Sequence, residues 1–131
     1  METALRSALI QHLQDDPLLT SELNAITEEA PLRASFPWVG IVASASTDWS
    51  MKTTQGREIR LALELHCRGD DPDTAAALVQ ALEKRVESLP ADHTLFTLAS
   101  VQFLRARAEQ RPRNIRAVLL EYRFRLHAPL I

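Results

Sequence analysis

The chain has 131 residues, of which 46% are apolar and 24% are charged. This length predicts a single domain over residues 1–131, and the composition excludes a disordered or collagen-like chain. The single cysteine, Cys67, excludes an intrachain disulfide scaffold and a four-cysteine zinc module.

The net charge of −2 hides an uneven distribution along the sequence. Residues 1–50 carry two basic and seven acidic residues, residues 51–101 carry six and eight, and residues 102–131 carry seven and two. The local balances are therefore −5, −2 and +5. Opposed charge at the two ends suits head-to-tail contact between copies, and an equally weighted alternative is that folding mixes these charges over the surface.

Apolar residues recur at helical spacing in three segments. Residues 3–14 form the first predicted helix, which stops at the sequence Asp15-Asp16-Pro17 because the residue before a proline avoids helical geometry. Residues 18–26 form a second, shorter predicted helix. The third begins with Asp71 as its N-cap and Pro72 in its first turn, and it stops at Pro90.

Four segments have the pattern of strands. Residues 38–43 are rich in β-branched side chains, and residues 59–67 alternate strictly between apolar and polar. Residues 95–107 and 115–127 form a predicted hairpin with residues 108–114 at its tip. The order of elements predicts an α+β fold, with a largely antiparallel four-stranded sheet covered on one face by helices.

Catalytic and cofactor-binding motifs do not occur in this sequence. It contains no GxSxG elbow, no glycine-rich phosphate loop and no HExxH motif. Cys67 falls on the apolar face of its strand and is predicted to be a core residue. A zinc site from His66, His93 and His127 would need three strands to converge. We therefore expect no catalytic residue, no cofactor and no metal.

Two other features favour an interaction surface. Five arginines surround the predicted tip of the last hairpin: Arg105, Arg107, Arg111, Arg113 and Arg116. They could contact phosphate or an acidic protein surface, and a solvated basic hairpin is the alternative of equal weight. The absence of interleaved aromatic residues argues against recognition of single-stranded nucleic acid by stacking.

The second feature is the polar segment of residues 46–57, which is too long for a tight hairpin loop. Trp49 lies in its middle, with Lys52 and Arg57 nearby. A large aromatic side chain on a polar arm is a common interface anchor. The alternative, weighed equally, is that Trp49 folds back onto its own sheet.

Four segments together resemble a known family: ALRSALIQHLQDDPLL, FPWVGIV, DWSMKTTQGREIRLALELHCRGDDPDTAAALVQALEKRV and RPRNIRAVLLEYRFRL. The most specific part is Asp48-Trp49-Ser50, followed by Lys52-Thr53 and Gly56-Arg57-Glu58, which lead directly into the alternating strand. With these residues the chain resembles the tail-terminator, or tail-completion, family of long-tailed phages and gene transfer agents. The resemblance covers nearly the full chain.

The resemblance implies a non-enzymatic subunit that closes as a hexameric ring on the head-proximal end of a tail tube. There it would stop tube polymerisation and join the tail to the head-side connector or stopper, while DNA passes through the lumen without sequence recognition. It also implies that the arm with Asp48, Trp49, Lys52 and Arg57 is the subunit or tube contact. We expect the five hairpin arginines to face a neighbouring protein rather than the lumen, because arginine contacts to phosphate would retard DNA.

The expected location is a virion or phage-like particle assembled in the bacterial cytoplasm. The longest apolar runs are far shorter than the ~20 residues of a membrane span, so we expect no membrane contact. Two alternatives remain open at this point. One is another neck component, an adaptor or a stopper, and the other is a small α+β ligand-binding module or enzyme.

Overall fold

The computed structural model describes residues 1–29, 33–69 and 72–129. Within these ranges the elements follow one another as α1 (Glu2–Gln14), α2 (Pro17–Glu22), β1 (Ala25–Thr27), β2 (Trp38–Asp48), β3 (Gly56–Arg68), α3 (Pro72–Glu87), β4 (Thr97–Arg111) and β5 (Ile115–His127). None of the helices in the described part of the chain is long and apolar enough to cross a membrane.

The strands form one sheet in the order β1-β2-β3-β5-β4. β1 runs parallel to β2, and the other three pairings are antiparallel. The predicted α+β class and the largely antiparallel sheet are confirmed. The predicted number of four strands is wrong, because β1 adds a fifth.

The additional strand comes from the segment predicted as the second helix. Asp16 caps α2, since its carboxylate accepts a hydrogen bond from the backbone N–H of Leu18 at 3.0 Å. α2 is only six residues long. Beyond it, the backbone N–H of Asn24 donates to the carbonyl of Pro37 at 2.8 Å. This contact docks the segment beside the start of β2, and such a tertiary contact leaves no periodic signal in the sequence.

The first and third helices agree with the sequence prediction. α1 ends at Gln14, directly before the predicted stop, and α3 spans Pro72–Glu87. The predicted N-cap Asp71 lies outside the described residues, as does Asp70. Pro90 follows the end of α3, where its ring prevents continuation of the helix.

The helices cover one face of the sheet and form the core with it. The buried strand residues alternate along β3 and β5: Ile59, Leu61, Leu63, Leu65 and Cys67, then Val118, Leu120, Tyr122, Phe124 and Leu126. They pack against buried helix residues, including Leu5, Leu9, Leu13, Leu78, Leu82 and Val86. Each large aliphatic side chain buried here contributes roughly 1.5–3 kcal/mol. We call the opposite surface of the sheet the open face.

The polar segment of residues 46–57 is not a long arm. β2 continues to Asp48 and β3 begins at Gly56, so the loop comprises residues 49–55. Within it, Met51 and Thr54 form an isolated bridge. Ladder hydrogen bonds hold the polar ends of both strands, and this pairing needs no apolar face. The alternation of apolar residues therefore could not reveal it.

The last hairpin is longer than predicted. β5 occupies the predicted residues 115–127, but β4 starts at Thr97 and continues to Arg111, instead of spanning residues 95–107. The tip shrinks from seven predicted residues to the three between these strands. Arg113 and Asn114 have φ values of 65° and 58° there, in the left-handed region. Asparagine tolerates this region well, which explains why the turn forms without glycine.

Candidate assembly surface

Trp49 is the first residue of the 49–55 loop, in the segment predicted to contact a subunit or the tube. Its backbone N–H donates to the carbonyl of Gly56 at 3.0 Å. The guanidinium of Arg125 lies over the indole, 5.5 Å from the ring centroid. Trp49 thus packs on its own sheet through a cation–π contact, and the residue as a whole is half-buried.

Of the other three predicted contact residues, two are neighbours across the β2–β3 ladder and the third lies in the loop turn. Asp48 is exposed and accepts a hydrogen bond from the hydroxyl of Ser50 at 2.7 Å. Lys52 is exposed in the loop turn. Arg57 lies opposite Asp48 in the ladder, with its Nε 3.8 Å from a carboxylate oxygen of Glu2. The structure therefore brings Asp48 and Arg57 together and separates them from the ring of Trp49.

Glu2 connects α1 to the same end of the β2–β3 hairpin. Its carboxylate accepts a hydrogen bond from the hydroxyl of Ser46. This hydrogen bond is the main cause that lowers the pKa of Glu2 to about 2. The N-terminal ammonium, 3.5 Å away, acts in the same direction. The contact anchors the hairpin end that carries the loop.

The five hairpin arginines are distributed over both faces of the sheet. Three lie on the open face: Arg105, Arg107 and Arg111. Arg116 pairs with Cys67 on the helix-covered side, and its Nε is buried with no hydrogen-bond partner in the described residues. Arg113 lies in the turn. Successive strand residues point to opposite faces, so the pleat separates arginines that are neighbours in sequence.

Arg111 is held by two carboxylates. Its two terminal nitrogens donate to the two oxygens of Glu64 at 3.0 and 3.1 Å, and its Nε donates to Glu109 at 2.8 Å. Forked contacts of this kind are among the stronger hydrogen bonds in proteins. The Glu64 side chain is only 13% exposed, so solvent screens this pair less than an ordinary surface pair. The contact links the end of β4 to β3 across β5.

Further ion pairs line the open face. Arg105 contacts Glu121 at 2.8 Å, and Arg107 contacts Glu109 at 3.4 Å. Near the loop, the Nε of Arg125 donates to Glu58 at 3.0 Å. These glutamates were not predicted from the sequence as partners of the arginines. For Glu58 and Glu121, the available sequence signal was the set of polar positions in the alternating pattern of β3 and β5. These positions share one face of the sheet, where opposite charges can pair.

His66 belongs to the network around Glu64. Its Nε2 lies 2.8 Å from a carboxylate oxygen of Glu64, and its ring stacks on Trp38 with centroids 4.1 Å apart. Burial lowers the pKa of His66 below its ordinary 6.5, and the charge of Arg111 acts in the same direction against the opposing effect of Glu64. His66 is therefore neutral at neutral pH and donates its Nε2–H to Glu64.

Two chemically interesting side chains are buried under the helices. Cys67 is 4% exposed, and burial raises the pKa of its thiol, which confirms the predicted core role. Tyr122 is fully buried, and its hydroxyl has no hydrogen-bond partner among the described residues. Burial raises the pKa of this phenol, with smaller contributions from Glu83 and Glu87. Both side chains serve packing.

Grooves on the surface are modest. One of about 400 Å³ lies between α2 and α3, lined by Leu18, Glu22, Asp73, Thr74, Ala77, Leu78 and Ala81. In the described ranges, no three His, Cys, Asp or Glu side chains are grouped so that they could hold a metal ion. The features that stand out are therefore the 49–55 loop and the ion-paired open face.

The family profile described as tail completion protein gp17 matches residues 7–127. No curated protein is significantly similar to the chain. Among solved structures, a chain from the virion of a native gene transfer agent (GTA) particle has 22% identity and a TM-score of 0.84, with 96% of each chain covered.

The bacteriophage SPP1 gp17 protein has 20% identity and a TM-score of 0.55, with 94% of this chain and 88% of that chain covered. At these identities the two structures establish the shared fold, and the family assignment rests on the profile match. Because that match spans most of the sequence, the chain belongs to the tail completion protein gp17 family and is a structural protein of a phage or phage-like particle rather than an enzyme.

Proposed function

We propose that six copies of the chain form a ring that caps the head-proximal end of the tail tube. The ring stops tube polymerisation and joins the tail to the head-side connector, while DNA passes through it without sequence recognition. The observation that carries this proposal is the family match over residues 7–127. The similar fold of a chain in a native gene transfer agent virion supports a place in an assembled particle.

The ion pairs of the open face support a protein partner for the hairpin arginines. Arg105, Arg107 and Arg111 each have a carboxylate oxygen within 3.4 Å. Their charge is therefore partly neutralised, which weakens the release of counterions that drives phosphate binding. We assign these three arginines, with Arg113 and Arg116, to contact with a neighbouring protein rather than with DNA in the bore.

The 49–55 loop and the strand ends beside it, with Asp48, Trp49, Lys52 and Arg57, form the proposed subunit or tube contact. Its turn combines the exposed charge of Lys52 with Met51, which is 61% exposed. An exposed apolar side chain beside charged groups at the end of a rigid hairpin suits a protein interface. The whole chain, residues 1–131, acts as one domain in this proposal.

Deletion of the gene in the particle-producing bacterium tests the proposal by electron microscopy. We expect overlong or headless tails, which a plasmid copy of the wild-type gene restores to normal particles. Tails of normal length beside heads that leak DNA would contradict the terminator role and indicate a stopper. Particles that are normal without the gene would favour a small ligand-binding module or enzyme.

A matched pair of variants tests the loop in the same complementation. The chain has two lysines, Lys52 in the loop and Lys84 on α3, and both are exposed. We expect Lys52→Glu to lower the yield of joined particles and Lys84→Glu to leave it unchanged. Equal yields from the two variants would remove Lys52 from the contact.

A further inference from the structure

The sheet has an open edge on each side. On one side, β1 pairs with Trp38, Val39 and Gly40, and no strand of the described ranges covers the outer edge of β2 from Ile41 to Asp48. On the other side, β5 is the one strand that pairs with β4 among the residues that the structure describes. Such edges carry unpaired backbone N–H and C=O groups that can pair with another strand.

The first residues of β4 are already covered by the chain itself. Asp92 forms an isolated bridge with Thr97, and the backbone N–H of Leu98 donates to the carbonyl of Ala91 at 2.7 Å. Beyond Leu98, no backbone hydrogen bond reaches the outer edge of β4 from any residue in the described ranges. The free edge of β4 therefore runs from about Ser100 toward the hairpin tip.

The two free edges occupy the same rows of the sheet. Following the ladder across the strands, Thr47 aligns with Glu58, Arg125 and Ser100. At the other end of the uncovered part of β2, Ile41 aligns with Leu63, Leu120 and Ala106. The uncovered part of β2 and residues 100–106 of β4 thus lie on the same cross-strand rows of the sheet and are nearly equal in length.

The strand directions also match. Three antiparallel pairings separate β2 from β4, so these two strands run in opposite directions. A second copy placed beside the first by rotation about an axis along the strands presents its β2 antiparallel to β4 of the first copy. The antiparallel alternation of the sheet then continues from copy to copy. This contact is heterologous, and such contacts close into rings when the rotation allows it.

The bulges and the exposed apolar residues lie on these edges. The register shifts fall at Val42 in β2 and at Ala99 and Leu104 in β4, whereas the central β3–β5 pairing has none. Bulges bend a strand, and bending is what a sheet needs in order to close. Val42 is 46% exposed and Phe103 is 39% exposed. Pairing of the two edges would bring these side chains near each other and reduce their exposure.

We infer that residues 41–47 of β2 pair antiparallel with residues 100–106 of β4 in the next copy, so that one continuous sheet runs around the ring. This inference rests on the proposed ring and adds the surface that builds it. The partner is a second copy of this chain, joined mainly through backbone hydrogen bonds. The small side chains of β2 at this edge, from Ala43 to Ser46, allow close approach of the neighbouring strand.

Cross-linking through engineered cysteines tests this pairing. Ala45 and Gln102 lie in the same row on the open face, so Ala45→Cys and Gln102→Cys in one chain place two thiols at adjacent edges of neighbouring copies. Antiparallel neighbours have Cα atoms about 4.5–5.5 Å apart, which fits disulfide geometry. A second variant, Ala45→Cys with Ser100→Cys, covers a register shifted by two residues. Native Cys67 is buried and stays in place.

Oxidation is carried out on rings assembled at tube ends, and the products are separated under denaturing, non-reducing conditions. We expect a ladder of covalent multimers up to the ring size from at least one double variant, and monomers from each single variant. Capped tubes without any such ladder would overturn the inference and leave the proposed function standing. Covalent dimers from Gln102→Cys alone would also overturn it, because they indicate β4–β4 pairing.

Hydrogen exchange on the unmodified chain gives an independent measurement in case the variants fold poorly. On ring formation, we expect the outward-pointing amides of residues 41–47 and 100–106, which have no partner within the sheet, to exchange at least about tenfold more slowly. Equal protection before and after assembly would overturn the edge pairing. Failure of the unmodified chain to cap tubes would overturn the proposed function, and the inference with it.

Discussion

Replacement of Arg111 by methionine tests the ion-paired network of the open face. The substitution keeps a long apolar stem and removes the forked contact to Glu64 and the hydrogen bond to Glu109. Glu64, whose side chain is 13% exposed, then keeps only His66 as a hydrogen-bonding partner among the described residues. We expect the variant to be less stable than the wild type.

The structure sets the size and the pH dependence of this loss. The Arg111 side chain is 36% exposed and Glu109 is 40% exposed, so solvent weakens the contacts, and we expect a net loss of about 1–2 kcal/mol at pH 8. Removal of Arg111 also raises the pKa of His66, because the arginine charge helps to lower it. In the wild type this lowered pKa reduces stability as the pH falls below 6.5. Arg111→Met avoids part of that reduction. The difference in unfolding free energy between the wild type and the variant should therefore be smaller at pH 5.5 than at pH 8.

Urea unfolding of the wild type, Arg111→Met, Glu64→Gln and the double variant at both pH values measures the effect. We expect a coupling free energy of about 1 kcal/mol between the two positions at pH 8. A coupling energy near zero would mean that the contact between Arg111 and Glu64 does not stabilise the fold, and a loss that is larger at pH 5.5 than at pH 8 would contradict the predicted effect of Arg111 on the pKa of His66. An NMR titration of His66 in Arg111→Met should show the raised pKa directly.

Three further substitutions have defined outcomes in unfolding experiments. Tyr122→Phe should leave the unfolding free energy unchanged or raise it by up to about 1 kcal/mol, because the hydroxyl is buried without a described partner. Gly56→Ala should lower it by at least about 2 kcal/mol, because a Cβ would lie 2.3 Å from the carbonyl oxygen of Trp49. Glu2→Gln should lower the unfolding free energy by about 1 kcal/mol at pH 7 after solvent screening. The lowered pKa of Glu2 stabilises the fold fully above pH 4.5, and this stabilisation is lost as the pH falls to about 2. The difference between variant and wild type should therefore disappear over that range.

Each of these outcomes has a result that would contradict it. Destabilisation of Tyr122→Phe by more than 1 kcal/mol would mean that the hydroxyl has a partner. Gly40→Ala is the control for Gly56→Ala, since its nearest contact is a Trp38 ring atom at 3.2 Å, and equal losses would remove the steric argument. A loss in Glu2→Gln that stays constant down to pH 2 would rule out the ionised carboxylate as its cause.

Much of the fold could be predicted from local patterns. The alternation of apolar and polar residues located β3 and β5, and the third helix followed from its apolar stripe and the prolines at its two ends. β1 could not be predicted, because three residues carry no period and the strand depends on contacts of Asn24 with the distant carbonyl of Pro37. The polar ends of β2 and β3 were missed because ladder hydrogen bonds, not apolar residues, hold them.

The candidate surface was predictable only in part. The sequence located the loop and the arginines, but it could not show that Trp49 lies under Arg125 or that Arg111 is held by Glu64. Both contacts join residues far apart in sequence and depend on strand order, which pairs β3 with β5 and not with β4. The free sheet edges depend on the same order and therefore emerge only from the structure.

The most direct test of the proposed terminator role combines the purified chain with its tail tube protein. Negative-stain electron microscopy shows the tube ends, and light scattering gives the mass of the free chain and the growth of the tubes. We predict rings with a central hole at one end of each tube, and tubes that stop lengthening when the chain is present. Tubes that grow at the same rate and to the same lengths with the chain as without it, beside a chain that stays monomeric, would contradict the terminator role.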